Sequence, residues 1–281
     1  MVTGTFPVVN FGALERYRVP AADWSGRLTD MDPADREGMP FPRPEAEAAT
    51  ASDIAEIDRM QEILYAQSKH ALLVVLQGSD TSGKDGTVRK VFSSINPLGA
   101  VAVAFKKPTP HELAHDFLWR IHKAVPAAGM IGIFNRSHYE DVLVARVHGL
   151  VPPERIEARY DQINRFERHL VENDVTILKF FLHISRKEQR ARLQARLDDP
   201  TKRWKFNPDD LAERKHWDDY MSAYQTAFER CSSEWAPWLI VPANHKWYRN
   251  AVIARVVRST LEALDLTYPP EMAGLDKIRI E

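Results

Sequence analysis

At 281 residues the chain is long enough for one large α/β domain with additions, or for two small domains. Its 38 basic and 39 acidic residues nearly cancel, which excludes a global field that would recruit nucleic acid or a membrane surface. A single cysteine, Cys231, excludes an intrachain disulfide and suits a reducing compartment, and no reactive-cysteine motif surrounds it. The chain starts without the charged and apolar regions of a signal peptide, and no apolar run has membrane-spanning length, so a soluble, cytoplasmic protein is expected.

Residues 1–50 contain scattered prolines, little periodicity and an acidic patch at 30–37. They read as an extended arm laid over the domain or a neighbour, with its acidic part free to move. A helix is expected from about 52 to 70, because Ile54, Ile57, Met60 and Leu64 recur at helical spacing and Ser52 or Asp53 can cap its start. The apolar run 72–76 reads as a buried parallel strand. A glycine-rich loop follows, then a helix to about 95, stopped by Asn96-Pro97-Leu98-Gly99. A second strand fits 100–105, with Lys106-Lys107-Pro108 at its carboxyl end, where ligands of open α/β sheets sit. Pro110 opens a helix to about 123. Residues 130–134 form a third strand, followed at once by the polar cluster Asn135-Arg136-Ser137-His138-Tyr139-Glu140-Asp141.

A helix over 154–172 and a fourth strand over 175–182 come next. Ser185 and Glu188 match a capping box opening a basic helix over 186–197. Asp198-Asp199-Pro200 ends it, and 201–206 is a charged loop. Asn207 with Pro208 caps a further helix, whose stripe Trp217, Tyr220, Met221, Tyr224 and Phe228 belongs in the core. A fifth strand at 238–241 and a last helix to about 264 complete an alternation that implies an α/β fold with a parallel five-stranded sheet flanked by helices. The domain is expected over 51–270, with an arm before it and a tail over 271–281.

Chemistry concentrates at residues 72–87, LLVVLQGSDTSGKDGT. A strand that breaks into a glycine-punctuated loop with one lysine, ahead of a helix, is the layout of a phosphate-cradling loop. Gly78 and Gly83 let backbone amides turn toward an anion, Lys84 adds a mobile charge, and the next helix, starting near Gly86, aims its positive dipole end at the same place. Ser79, Thr81, Ser82, Asp85, Gly86 and Thr87, together with Asn135 after the third strand, are counted with the loop as phosphate- or nucleotide-binding. The pattern G-x-x-x-x-G-K-[ST] fails at its last position, where Asp85 stands, and Asp80 puts a carboxylate inside an anion loop. A carboxylate there makes sense if it holds a metal ion that in turn holds phosphate. Residues 179–205 carry nine bases against three acids, and Arg192 and Arg196 sit four apart on one helical face, able to reach one polyanion. His138 and His148 lack the partner spacing of a zinc site, and His138 reads as a structural or hydrogen-bonding residue.

Taken together, G-S-D-T-S-G-K-D-G-T, F-N-R-S-H-Y-E-D, E-Q-x-x-R-x-x-x-R with D-P-x-K-R-W-K, and H-K-W-Y-R-N resemble the polyphosphate kinase 2 family in matching order over roughly 52–270. The resemblance implies a three-layer α/β/α P-loop kinase core with a helical lid at about 186–210. It implies reversible transfer of the terminal phosphoryl group of inorganic polyphosphate to AMP or ADP, with magnesium, for which manganese can substitute. By position it gives Asp80 the metal and acceptor-activating role, Lys84 the phosphate charge, and Arg136 a hold on phosphates. Arg192, Arg196 and Lys205 fall at lid positions that contact nucleotide or polyphosphate. Many members carry aspartate where this chain has Asn135; an amide cannot ionise, so metal roles fall to Asp80, with Glu140 or Asp141 as further ligands, or to water. The F-N-R-S-H-Y-E-D form is similar to the class III subgroup, which accepts both AMP and ADP. Partners implied are polyphosphate and adenine nucleotides, with a homodimer or tetramer and neither nucleic acid nor membrane. Two rivals stay open: an ATP-dependent nucleoside or nucleotide monophosphate kinase, and a nucleotide-binding module without turnover.

Overall fold

The computed structural model describes residues 9–21, 24–275 and 278–280. Helix α1 (Arg43–Gln67) leads into β1 (Ala71–Gln77) and α2 (Lys84–Val91). Then come β2 (Ala100–Ala104), two single-turn helices α3 (Pro110–Leu113) and α4 (Trp119–His122), and β3 (Ile131–Asn135). Short α5 (Val144–Val147) and long α6 (Pro153–Val171) precede β4 (Val175–His183) and α7 (Arg186–Asp198). Last are α8 (Asp209–Glu213), α9 (Trp217–Cys231), β5 (Trp238–Pro242) and α10 (Lys246–Glu262).

All five strands pair in parallel in the order β2-β3-β1-β4-β5. β1 is central, and every one of its residues is buried, as a strand covered on both faces requires. Alternation sends Leu72, Val74 and Leu76 to the face covered by α1 and α10, and Leu73 and Val75 to the face covered by α6 and α9. Sequence order runs from β1 outward past β3 to β2, back to β3, then across to β4 and β5. The direction therefore reverses at β1, and a crevice opens at its carboxyl end. Register places Leu76 beside both Asn135 and Phe180, so the loops after β1, β3 and β4 emerge at one level.

The strands form where expected, within a residue or two. Four helical expectations need correction, α2 among them, since it ends at Val91 rather than near 95. α1 starts at Arg43 rather than near 52, entered through Pro42 with Pro44 in its first turn, and ends at Gln67, with Ser68 in the left-handed region. Asp53 is consequently no cap. It is fully buried, and accepts from Arg255 Nε at 2.8 Å and Arg258 Nη1 at 3.0 Å, joining α1 to α10. Removing the buried carboxylate leaves Arg255 without its partner and Arg258 with Glu262 alone, so Asp53→Ala should lower stability by about 2 kcal/mol, read from a urea midpoint.

The helix expected over 110–123 is two separate turns, because Asp116 accepts from Leu118 N and starts a new turn between them. The helix expected from 207 is broken by a 3₁₀ turn at Arg214–His216. The acidic patch is tied down: Asp35 accepts from Tyr17 Oη at 2.9 Å and pairs with Arg16 at 3.3 Å, and Asn244 N donates to Pro33 O at 3.0 Å. Tyr17 also meets Tyr248 Oη at 2.7 Å, and Arg18 bridges antiparallel to Leu239. The arm thereby covers the β5 edge, one way a fold hides an unpaired strand.

Candidate active site

The loop after β1 begins at Gly78, whose φ of +146° only glycine adopts freely. Its N–H donates to Tyr224 Oη at 3.1 Å, fixing the start of the loop on α9. Gly83 sits at φ +106°, and a Cβ there would collide with the Arg249 guanidinium, so the glycine is required twice over. α2 begins directly at Lys84, two residues before the expected start, with Gly83 as its N-cap.

Lys84 folds back beneath the loop, Nζ donating to Gly78 O at 2.5 Å and Ser79 O at 3.2 Å. Burial, followed by the nearby Arg136 charge, pushes this ammonium down to about 8, against the pull of Asp80, Glu140 and Asp85. A lysine that titrates there loses charge as pH rises through about 8, so kcat/KM for an anionic substrate should fall on that alkaline limb, measured as a pH profile of the free enzyme.

Arg136 follows β3 in the left-handed region at φ +64°, as does Thr81 in the loop. Such conformations cost a non-glycine residue about 1 kcal/mol or more, and they cluster where side chains must be aimed. Here they aim Arg136 Nη2 at Asp80 Oδ1, 2.8 Å away, with Glu140 3.7 Å from Nη1. Glu140, then Asp80, hold Arg136 firmly protonated, whereas burial pushes the Glu140 carboxyl up despite Arg136 and Lys84.

Gly78, Ser79, Asp80, Arg136 and Glu140 open into a cleft of ≈ 340 Å³. Its other walls are Lys107 after β2, the acidic Asp209, Asp210 and Glu213 of α8, and Trp217, Tyr220 and Tyr224 of α9. The α9 stripe is therefore divided: Met221, Tyr224 and Phe228 are buried, while Trp217 and Tyr220 are partly exposed cleft wall. Asp210 carries a carboxyl raised by burial and by Asp80, and Tyr220 Oη donates to Glu213 at 2.6 Å.

The remaining loop groups divide by role. Ser82 and Thr87 are fully buried, and their hydroxyls, like that of Thr81, have no hydrogen-bond partner. Asp85 accepts from Asn135 Nδ2 at 2.5 Å, which couples the irregular loop position to the irregular position after β3; Gly86 lies against Arg249.

The two lid arginines do not act together on one face. All five Arg192 N–H groups are taken by protein: Glu188 at 2.7 Å, Thr81 O and Ser82 O at 3.0 and 2.9 Å, and Ala243 O and Asn244 O at 2.6 and 3.0 Å. Arg192 is a clamp on the loop, with no donor left for a ligand. Arg249 donates to the same Ser82 O at 3.2 Å, and burial then Arg192 pull it down to about 10. Arg196 instead bonds Lys205 O at 3.2 Å and pairs with Asp210 at 3.4 Å. Lys205 packs its ammonium 5.0 Å from the exposed Trp204 ring. None of these four residues lines the cleft. Only half of the expected capping box forms, since Glu188 turns to Arg192 and Ser185 N donates to Asn244.

Asp141 also departs from expectation. It faces a neighbouring cavity of ≈ 460 Å³, paired with Arg159 at 3.6 Å and Arg120 at 3.9 Å, so Glu140 alone of the two accompanies Asp80. Among the described residues no three His, Cys, Asp or Glu side chains converge as a metal cage. The two cleft carboxylates, Asp80 and Glu140, are oxygen donors of the kind a hard cation such as magnesium takes alongside phosphate oxygens.

The family described as Polyphosphate kinase 2 (PPK2) matches residues 42–269. The chain belongs to this family. It is 48% identical over 268 residues to the AMP/ADP-polyphosphate phosphotransferase of Meiothermus ruber, covering 95% of this chain and 100% of that one. It is 43% identical over 230 residues to the ADP-polyphosphate phosphotransferase of Rhodopseudomonas palustris, covering 78% and 80%. The crystal structure of polyphosphate kinase 2 from Arthrobacter aurescens superposes with a TM-score of 0.91 at 44% identity, over 95% of this chain and 94% of that one. The family frame makes the loop after β1 its P-loop and identifies the chain as a phosphotransferase. Lys107 lines the cleft from the strand end where a ligand was expected, whereas sequence reasoning missed Glu213 and Tyr220 as cleft groups. Nothing local marked these two, which reach the cleft only by packing of α8 and α9.

Proposed function

We propose that the protein transfers the terminal phosphoryl group of inorganic polyphosphate to AMP and to ADP, working reversibly as a class III member of its family. The observation that carries this reading is the cleft, where Asp80, Arg136, Glu140 and Lys107 from three strand ends meet above the buried Lys84. A phosphoanhydride chain has no base or sugar to recognise, so a few positive groups at the strand ends, Lys107 and Arg136 among them, are sufficient to hold it. Phosphoryl transfer in turn needs positioning and charge neutralisation rather than a protein nucleophile. The activities for which the Meiothermus ruber and Rhodopseudomonas palustris relatives are named support the same donor and acceptors.

Lys84 and Arg136 hold the transferred phosphoryl oxygens, and the loop amides of 78–84 hold the neighbouring phosphates. Asp80 with Glu140 would hold magnesium, which supplies charge neutralisation between donor and acceptor oxygens when bound. Asp80, released from Arg136 by the incoming phosphate, orients the acceptor. Trp217 and Tyr220 offer a stacking wall for the base. Arg196 and Lys205 stand at the rim for outlying phosphates of the chain, and Arg192 keeps the loop in shape. The protein is cytoplasmic in this reading and works as a homo-oligomer.

Dual acceptor use has a direct readout. With AMP, polyphosphate and magnesium, ADP should accumulate first and ATP follow; ADP as sole acceptor should give ATP without a lag. A reaction that halts at ADP would restrict the enzyme to AMP.

A further inference from the structure

Behind the cleft lies a cluster of ionisable groups that never reaches it. Glu167 of α6 and Lys179 of β4 are both fully buried and 2.6 Å apart. Burial alone would raise the Glu167 carboxyl, but Lys179 and His138 outweigh it and hold the group below its ordinary range, so it is ionised. The carboxylate accepts from His138 Nε2 at 3.1 Å and from Tyr139 Oη at 2.9 Å. Lys179 donates in addition to Tyr139 Oη at 2.9 Å and to Cys231 O on α9 at 2.7 Å, with the Tyr139 and Trp238 rings 5.4 Å away.

A buried ion pair is weak as a source of stability, since desolvation offsets most of the attraction, so its placement needs another reason. Its partners give one. His138 and Tyr139 lie in the single turn between Arg136, which pairs with Asp80 on the cleft floor, and Glu140, which flanks Arg136 from its other side. The same turn is pinned from the loop side, where Gln77 Nε2 donates to Ser137 Oγ at 3.1 Å and Ser137 Oγ accepts from Tyr139 N at 3.2 Å. Arg136 itself is in the left-handed region, which the turn must maintain against its intrinsic preference.

We propose that the Glu167–Lys179 pair positions the Ser137–Asp141 turn through His138 and Tyr139, and so sets where Arg136 and Glu140 meet the phosphates. Neither residue touches substrate; both act through Arg136. This inference rests on the proposed phosphoryl transfer, and its test uses whichever nucleotide acceptor the protein turns over.

The test is a double-mutant cycle on kcat between Glu167→Gln and Arg136→Ala. Glutamine keeps the shape and the acceptor oxygen but loses the charge that holds Lys179. Glu167→Gln in the wild-type background should lower kcat about tenfold with KM within about twofold, as for a group that orients an essential side chain. In the Arg136→Ala background, assayed at enzyme concentrations that keep turnover measurable, the same change should cost less than about twofold. Equal losses in the two backgrounds, or an unchanged kcat in a folded Glu167→Gln protein, would overturn the proposal. Should Glu167→Gln fail to fold, Tyr139→Phe, which leaves the ion pair and its His138 contact in place and removes the tyrosine hydroxyl that links the pair to the turn, replaces it in the cycle with non-additivity of the same sign. A protein inactive with every nucleotide and donor would count against the proposed reaction instead.

Discussion

Lys84→Met is expected to lower kcat by ~10³-fold or more while leaving the protein at least as stable as the wild type. Methionine keeps most of the apolar stem and removes the charge together with its hydrogen bonds to Gly78 O and Ser79 O. In the transition state that charge faces the phosphoryl oxygens from a desolvated position, where it is worth more than it would be in water. In the free protein it is a liability. Displacement of the ammonium from 10.5 to about 8 corresponds to roughly 3 kcal/mol of disfavoured charge. Because the folded-state value lies below the unfolded one, the unfolded chain binds this proton more tightly. The cost is therefore fully present below about pH 8 and is relieved as pH rises toward 10.5. Urea midpoints at pH 7 should place Lys84→Met level with or above the wild type. Retention of more than about a tenth of kcat would remove Lys84 from the reaction.

Arg136→Ala should also cost about 10³ in kcat, the scale on which an arginine that neutralises a transferring phosphoryl group acts. The backbone adds a second expectation. At φ +64° alanine gains nothing over arginine, whereas glycine adopts the conformation without strain. Arg136→Gly should therefore be as inactive as Arg136→Ala yet more stable, by up to about 1 kcal/mol in denaturant unfolding. Equal activity losses with this stability order separate what the side chain does from what the turn does. A glycine variant less stable than the alanine one would mean that the left-handed turn carries no strain.

The strands and the loop were legible in the sequence because their signals are local. Five short apolar runs stand between turn residues, and Gly78, Gly83 and Lys84 keep the spacing a phosphate loop needs. The start of α1 was hidden because 43–51 alternates alanine with acids and carries Pro44, leaving no apolar stripe to read. The anchoring of the arm was hidden for a different reason. Tyr17 meets Tyr248 across 231 positions, and no periodicity reports a contact of that range.

At the site, spacing placed Arg192 and Arg196 on one face but could not say what that face touches. The carbonyls that occupy Arg192 come from the loop and from the end of β5, about a hundred residues before it and fifty after it. Two signals of the buried pair went unread, and Lys179 was counted with the basic stretch although it is buried in β4. Lys179 interrupts an otherwise apolar strand, and Glu167 falls in phase with Ile156, Tyr160, Ile163 and Leu170 on the buried side of α6. A charge in a core phase, twice, signals a partner even when the sequence does not say which.

The donor decides the central claim. Purified protein, free of nucleotide triphosphate, is incubated with magnesium and AMP, and polyphosphate and ATP are supplied as donor in separate reactions. ADP and then ATP formed from AMP with polyphosphate alone is the predicted result. No product with polyphosphate, but ADP formed from AMP with ATP as donor, would contradict it and make the protein an ordinary nucleotide kinase built on the same loop.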